Sequence, residues 1–432
     1  MSPLLRLGAA ALALAAPLAA QTVDDGYEVG TWHGFRDAAV THTFDDNTSN
    51  QVPVAIPLLD EFGFDATFFV VTNWGPNWTG FAAAAANGHE IASHTVTHPQ
   101  LPSLTNEEQA DELATSRSVI LANVPDTEAL TLAYPYCSRG ADAVTNATYI
   151  AARGCSGQIV PSTPTDFLNI SSIIVGSEGS VQTATDLNGR AVAAAGSGGW
   201  VVFLLHGIDG DGGYSPTESD ELRDHLEYLD ANRDRFWVDT FGNVVRYIRE
   251  RDAASIAEVS ATEDALTVQV TDDLDDAVYD LPITIRRALP DGWDAATVTQ
   301  DDEPVPAAII EAETQTYVEF DAVPDAGAVV LTKSDATSAS GAPEAGASYV
   351  VGSHPNPFRA QTTLVYNVAE AGPVTVEVYD LLGRKLETLV DEVLPAGRHV
   401  IMWDASRYGP GTYTYRLRSG GRVDAGQATL TR

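Results

Sequence analysis

The stretch Ala39-Val-Thr-His-Thr-Phe-Asp-Asp-Asn47 is followed by an amphipathic pattern over 52–62 and then by Asp65-Ala-Thr-Phe-Phe-Val-Val-Thr72. That order decides the fold. Short apolar runs rich in β-branched and aromatic residues read as buried strands, and the segment between them has the apolar spacing of a helix. The same alternation continues outward. Thr105 and Glu108 form a capping box that opens a helix running to about residue 122. Residues 130–134 and 199–205 read as strands. Ser215, Pro216 and Glu218 suggest a second helix start, with a cap, a first-turn proline and an early acid. A strand over 235–239 and a helix over 243–251 close the pattern. Strands alternating with helices predict an α/β domain with a mostly parallel sheet, open or closed into a barrel. Such folds place their chemistry at strand ends.

From residue 253 the apolar period changes to two, as in 265–270, 316–320 and 328–332. The expected organisation is an α/β domain over 21–252, a β-sandwich over 253–335, a linker over 336–347 and a third module over 348–432 with strands near Thr363, Val374 and Tyr413. The aromatics Tyr279, Trp293 and Tyr317 are few and scattered, so the sandwich reads as a spacer in preference to a glycan-binding unit. Residues 1–20 read as a secretory signal, with Arg6 before an Ala/Leu run that is too short to span a membrane. No later segment is long and apolar enough to span one. Asp and Glu total 60 against 24 for Lys and Arg, a net charge of −36. A surface of that sign repels nucleic acid. In an exported chain Cys137 and Cys155 can form a disulfide, with two buried free thiols as the alternative.

Chemistry enters through the two aspartates that end the first strand and through Glu90-Ile-Ala-Ser-His-Thr-Val-Thr-His98. Asp46, His94 and His98 make a three-ligand set of one carboxylate and two imidazoles, which suits zinc or a similar divalent ion and leaves a fourth position for water. Asp45 could then take a proton from that water. In an extended strand residues four apart lie roughly 13 Å from each other, too far to share an ion. The metal reading therefore requires a turn or helix at 94–98. His206 follows the buried strand 199–205 and is a candidate general acid. The acidic loop after it, Asp209-Gly-Asp-Gly-Gly213, reads as a turn rather than a calcium loop. Asp166, His33, His42 and His89 have no spacing to recommend them.

These pieces, in this order, resemble the polysaccharide deacetylases of carbohydrate esterase family 4 over about residues 28–250. The carriers are Thr43-Phe-Asp-Asp-Asn47, His94-Thr-Val-Thr-His98, Ala133-Tyr-Pro-Tyr136 and Leu204-Leu-His206. The resemblance implies a distorted (β/α) barrel that hydrolyses acetyl groups on a polysaccharide. It makes Asp45 the base, and Asp46, His94 and His98 the ligands. It gives the Tyr136 N–H an oxyanion role, places Leu204 near the acetyl methyl and makes His206 the acid. It also implies an arginine that orients the base, and Ala133 stands in its place. An aspartate partner for His206 is expected, with Asp166 as the candidate. The alternative is a catalytically impaired, carbohydrate-binding surface protein. The third module resembles the sorting domain of the type IX secretion system through His354-Pro-Asn-Pro-Phe358, Val378-Tyr-Asp-Leu-Leu-Gly-Arg384 and Gly411-Thr-Tyr413. That resemblance implies transport across an outer membrane and partnership with the secretion machinery.

Overall fold

The strand that carries the two aspartates is buried along its whole length, so it must lie at the centre of its sheet. The computed structural model describes residues 22–125, 127–312, 315–334, 349–354, 358, 361–369, 371–379, 384–395, 397–409, 411–420 and 422–430. Eight strands build the first sheet: β1 (Ala38–Asp45), β2 (Thr67–Val70), β3 (Glu90–Ser93), β4 (Thr131–Ala133), β5 (Ala151–Arg153), β6 (Ile173–Ile174), β7 (Trp200–Leu205) and β8 (Phe236–Val238). Their order is β5-β4-β3-β2-β1-β7-β6, with β8 beside the start of β1. Every pairing is parallel. The result is the curled sheet of a (β/α) barrel.

Seven helices accompany it: α1 (Ile56–Phe62), α2 (Trp78–Ala86), α3 (Asn106–Asn123), α4 (Asp142–Asn146), α5 (Ala184–Ser197), α6 (Ser219–Asp230) and α7 (Phe241–Ala253). Alternation along each strand sorts side chains into two layers. Val40, Phe44, Phe68 and Phe203 join Leu59, Leu187 and Leu226 in one core, under α1, α5 and α6. Ala39, Phe69, Trp200 and Val202 meet Trp32 and Phe241 in another. The Thr105–Glu108 capping box forms, with both of its reciprocal bonds. The helix start expected at Ser215 is displaced. The Ser215 hydroxyl donates to Val175 O and accepts from Glu178 N, and Thr217 bridges to Ile208. Those residues are committed to neighbouring loops, so α6 begins at Ser219 without a side-chain cap.

Beyond α7 lie two antiparallel groups that share one core. Strands at Ser255–Ala261, Ala265–Thr271, Val329–Ser334, Ala295–Gln300 and Glu303–Val305 form most of one sheet; Ala307–Ala312, Gln315–Ala322 and Ile283–Ala288 form most of the other. Both sheets are completed by the start of the chain. Thr22–Val23 runs parallel to Ser255 and Ile256, and Tyr27–Val29 pairs with Ile285 to Arg287. Residues 22–29, grouped with the barrel by sequence, thus belong to the sandwich. Pattern could not reveal this, because two- and three-residue strands carry almost no periodicity. Trp293 packs in this core, and its indole donates to Glu263 O. A further seven strands between Tyr349 and Leu430 form a three-stranded and a four-stranded sheet around Trp403, Tyr366 and Tyr415. Residues 1–20, the linker 336–347, Pro355 to Pro357 and Asp380 to Gly383 lie outside the described residues.

Barrel and sandwich are joined by packing as well as by chain. Tyr247 of α7 sits in the sandwich core, and its hydroxyl donates to Gly30 O at 2.8 Å. Glu250 of the same helix is fully buried and faces Asp272 of the sandwich. Its Oε2 and the Asp272 Oδ2 are buried with no donor among the described residues. Burial first, and then Asp272, push the Glu250 carboxyl up to about 8. A proton shared by the two acids explains the contact. The folded-state value lies above the ordinary 4.5, so the folded protein binds the extra proton. That contribution to stability is complete below pH 4.5 and is lost as pH rises to about 8. Urea unfolding followed across this window is expected to show the decline, and Glu250→Gln to flatten it.

Candidate active site

Three strand ends bring the polar residues together. β1 ends in Asp45, which is 2 % exposed, and the backbone turns left-handed at Asp46 (φ 71°) and Asn47 (φ 42°). Asn47 Oδ1 accepts the Val71 N–H and so holds this turn against the end of β2. A left-handed conformation at two successive non-glycine residues costs energy and is typical of functional sites. β3 delivers the second segment. The chain after Ser93 bends, with left-handed φ at Thr95 (68°) and His98 (62°). The turn that the metal reading required is therefore present at 94–98. It is braced by Thr95 Oγ1, which accepts His98 N, and by Glu112 of α3, which accepts both the Val96 and Thr97 N–H groups at 2.8 and 2.9 Å.

The ligand atoms converge. Asp46 Oδ1 lies 3.5 Å from His94 Nε2 and 3.5 Å from His98 Nε2. All three atoms fall within 4.8 Å of one another. Ligands at bonds of about 2.0–2.1 Å in tetrahedral array sit about 3.4 Å apart, so the spacing fits one ion. Two further observations agree. His94 Nδ1 donates to Ala133 O at 2.8 Å, which leaves the Nε2 lone pair facing the site. Asp46 Oδ1 is buried without a hydrogen-bond donor among the described residues. Burial lowers His94 to about 4 and also lowers His98, so both imidazoles are neutral, as ligands must be. Burial and the Asp45 charge raise Asp46 to about 7, a repulsion that a bound cation would relieve.

Asp45 lies beside this set, its Oδ2 3.6 Å from His94 Nε2 and 3.9 Å from His206 Nε2. Burial opposes its ionisation. Arg153, His94 and His206 outweigh burial and hold the carboxyl below its ordinary value. His206 follows β7; burial lowers its pKa, and its Nδ1 is buried with no partner among the described residues. Asp166 does not supply that partner: it is bonded to Arg139 at 2.5 Å and caps Leu168. Gln51, in a π-helical turn before α1, donates its amide to Asp45 O and His206 O and so ties the ends of β1 and β7. Leu204 is buried in register with Thr43. Tyr136 (φ 56°) packs against His98 with its ring tilted by 60° and the ring centroids 4.5 Å apart, and it is 62 % exposed. Trp74 (49 % exposed) lies 5.0 Å from the His98 ring, and Tyr214 (51 %) 5.0 Å from His206. Cys137 and Cys155 form a disulfide, with Cα atoms 5.7 Å apart.

The remaining sequence candidates lie elsewhere. His33 pairs with Asp321, His89 with Asp60 and the Ala66 N–H, and His42 is buried against Phe203 and His225. The loop at 209–213 is closed by its own hydrogen bonds, with Asp209 accepting Ser219 N and Asp211 accepting Gly213 N and Asn50 N. Arg153, Glu112 and Gln51 escaped the sequence reading. Only Gln51 had a local signal, lying six residues from Asp45.

Residues 14–153 match the family model for polysaccharide deacetylase. That match covers less than half of the chain, and over this segment the chain is similar to the polysaccharide deacetylase family. Among curated proteins, a gellan lyase from a Bacillus species is 31 % identical over 324 residues, 70 % of this chain and 13 % of that protein. A chitooligosaccharide deacetylase from Bradyrhizobium sp. (strain ANU 289) is 32 % identical over 96 residues, 22 % of this chain and 44 % of that protein. The chain therefore spans less than half the length of either relative. Among solved structures, the Xyl-CE4 domain of a multidomain xylanase from the hindgut metagenome of Trinervitermes trinervoides is 20 % identical, with 48 % of this chain and 88 % of that one covered at a TM-score of 0.35. A family 4 carbohydrate esterase of Bacillus subtilis is 16 % identical, with 51 % and 84 % covered at 0.36.

Proposed function

We propose that this chain hydrolyses acetyl groups from an acetylated polysaccharide, with a divalent ion, zinc by the character of the donor set, held by Asp46, His94 and His98. The observation that carries the reading is the convergence of these three ligand atoms beside a second acid, Asp45, which is held ionised. When bound, the ion supplies Lewis-acid polarisation of the acetyl carbonyl. Asp45 takes the proton of the attacking water. The Tyr136 N–H supports the oxyanion, and Leu204 packs beside the acetyl methyl. His206 protonates the departing sugar oxygen or nitrogen. The exposed rings of Trp74, Tyr136 and Tyr214 border the same site, and such faces suit stacking of sugar rings. The impaired-enzyme alternative drew its support from the missing arginine at Ala133 and from the unplaced aspartate partner of His206; the buried Arg153–Asp45 contact weakens the first ground, and the second stands, since Asp166 is bonded to Arg139.

Xylan-type O-acetyl esters and chitin- or peptidoglycan-type N-acetyl amides both suit this chemistry. The names of the two relatives add chitooligosaccharides and gellan to the substrates to test. Export belongs to the same proposal: a signal at residues 1–20 and a type IX sorting module at 348–432 would carry the enzyme to polysaccharide outside the cell. Acetate release from acetylated xylan, chitooligosaccharide, peptidoglycan and gellan decides the matter. Release from at least one is expected, lost with a chelator and restored by zinc. A zinc-loaded protein inert on all four would contradict the proposal.

A further inference from the structure

Ala133 and Arg153 end adjacent strands, β4 and β5, and pair in register with each other. The Arg153 side chain is 1 % exposed. Its Nη2 lies 2.5 Å from Asp45 Oδ2, and its Nη1 donates to Thr43 Oγ1 at 3.0 Å. The Thr43 hydroxyl in turn donates to Phe203 O of β7 at 2.7 Å. The guanidinium also lies over the Phe69 ring of β2, 5.2 Å from its centroid. One planar cation is therefore fixed by β1 and β2 while rooted on β5, and it grips the carboxylate that faces the ligand set. A methyl group at 133 keeps a second long side chain out of the same row.

We infer that Arg153 is the positioning residue of Asp45, doing from the neighbouring strand what the methyl group of Ala133 cannot do. The surroundings hold it there. Cys137, next to Tyr136, is bonded to Cys155, two residues after Arg153. The disulfide ties the ends of β4 and β5, so the arginine and the Tyr136 turn keep a fixed relation. A Cβ on Gly154 between them would lie 2.4 Å from Asn169 Oδ1, so a side chain there would displace that amide. The inference rests on Asp45 being the base of the proposed reaction.

The test compares Arg153→Ala, Arg153→Lys and the double variant Ala133→Arg/Arg153→Ala in zinc-loaded full-length protein. A misplacement of about 1 Å costs on the order of 100-fold in rate, so Arg153→Ala is expected to lose at least that much kcat. KM and zinc content should hardly change. Lysine keeps the charge but not the fork, and should recover only part of the loss. The double variant returns an arginine to the same row and should recover at least a tenfold share. Unchanged kcat in Arg153→Ala, or loss of zinc together with turnover, overturns the inference. Should the parent protein release no acetate at all, the proposed reaction falls, and crystal structures then decide the positioning role alone. Displacement of the Asp45 carboxylate beyond about 0.5 Å in Arg153→Ala, reversed in the double variant, supports it; an unmoved carboxylate overturns it.

Discussion

Asp45→Asn is expected to cut acetate release by about 10²–10⁴-fold while the protein keeps its zinc. The amide copies the shape of the carboxylate but cannot accept a proton as a base. Asp45 is not in the candidate ligand set; its Oδ2 lies 3.6 Å from His94 Nε2, one of the three ligand atoms. The substitution also leaves the buried Arg153 without its counter-charge. Breaking one side of a buried pair costs about 3–5 kcal/mol, so a melting curve must accompany the kinetics. The two effects separate cleanly, because measurement at a temperature where the variant is fully folded reads chemistry alone. Bound zinc is measured by mass spectrometry on protein purified without added metal. Acetate release at the parent rate would remove Asp45 from the mechanism.

A chain ended at residue 252 is expected to melt about 10–20 °C below the full-length protein. The estimate comes from the face that such a cut exposes. Tyr247, Trp237 and Tyr27 pack on the sandwich core, and a large apolar side chain contributes about 1.5–3 kcal/mol when buried. Three of them lose about 5 kcal/mol, and each kcal/mol moves the melting point of a domain of this size by about 2–4 °C. The cut also strands Thr22–Val23 and Tyr27–Val29 without their partners. Scanning calorimetry of both forms checks this. A shift of only a degree or two would show that this packing contributes little to the stability of the barrel.

The central parallel strands were legible in the sequence because they are continuous apolar runs closed by polar turns, and the capping box at Thr105 has a fixed local spacing. The cluster of Asp46, His94 and His98 was legible from local spacing: Asp46 follows Asp45 at a strand end, and the 94–98 interval is a distance argument that needs no fold. Arg153 was not. It lies 108 residues from Asp45 and has no spacing to mark it; only the β4–β5 register brings it to the site. Glu112 looks like any solvated helix acid until the 94–98 turn is placed against α3. At Ser215, local helix signals were outweighed by tertiary bonds to Val175 and Glu178.

The stitching of the first residues into the sandwich also dictates an order of assembly. Glu28 must wait 258 residues for Arg286 to be made. The sandwich cannot finish on a nascent chain until strands from both sides of the barrel have been synthesised. Contacts so distant close slowly and leave strand edges open in the meantime. Completion of the sandwich is thus a late event, and the N-terminal strands stay unpaired until the second half arrives.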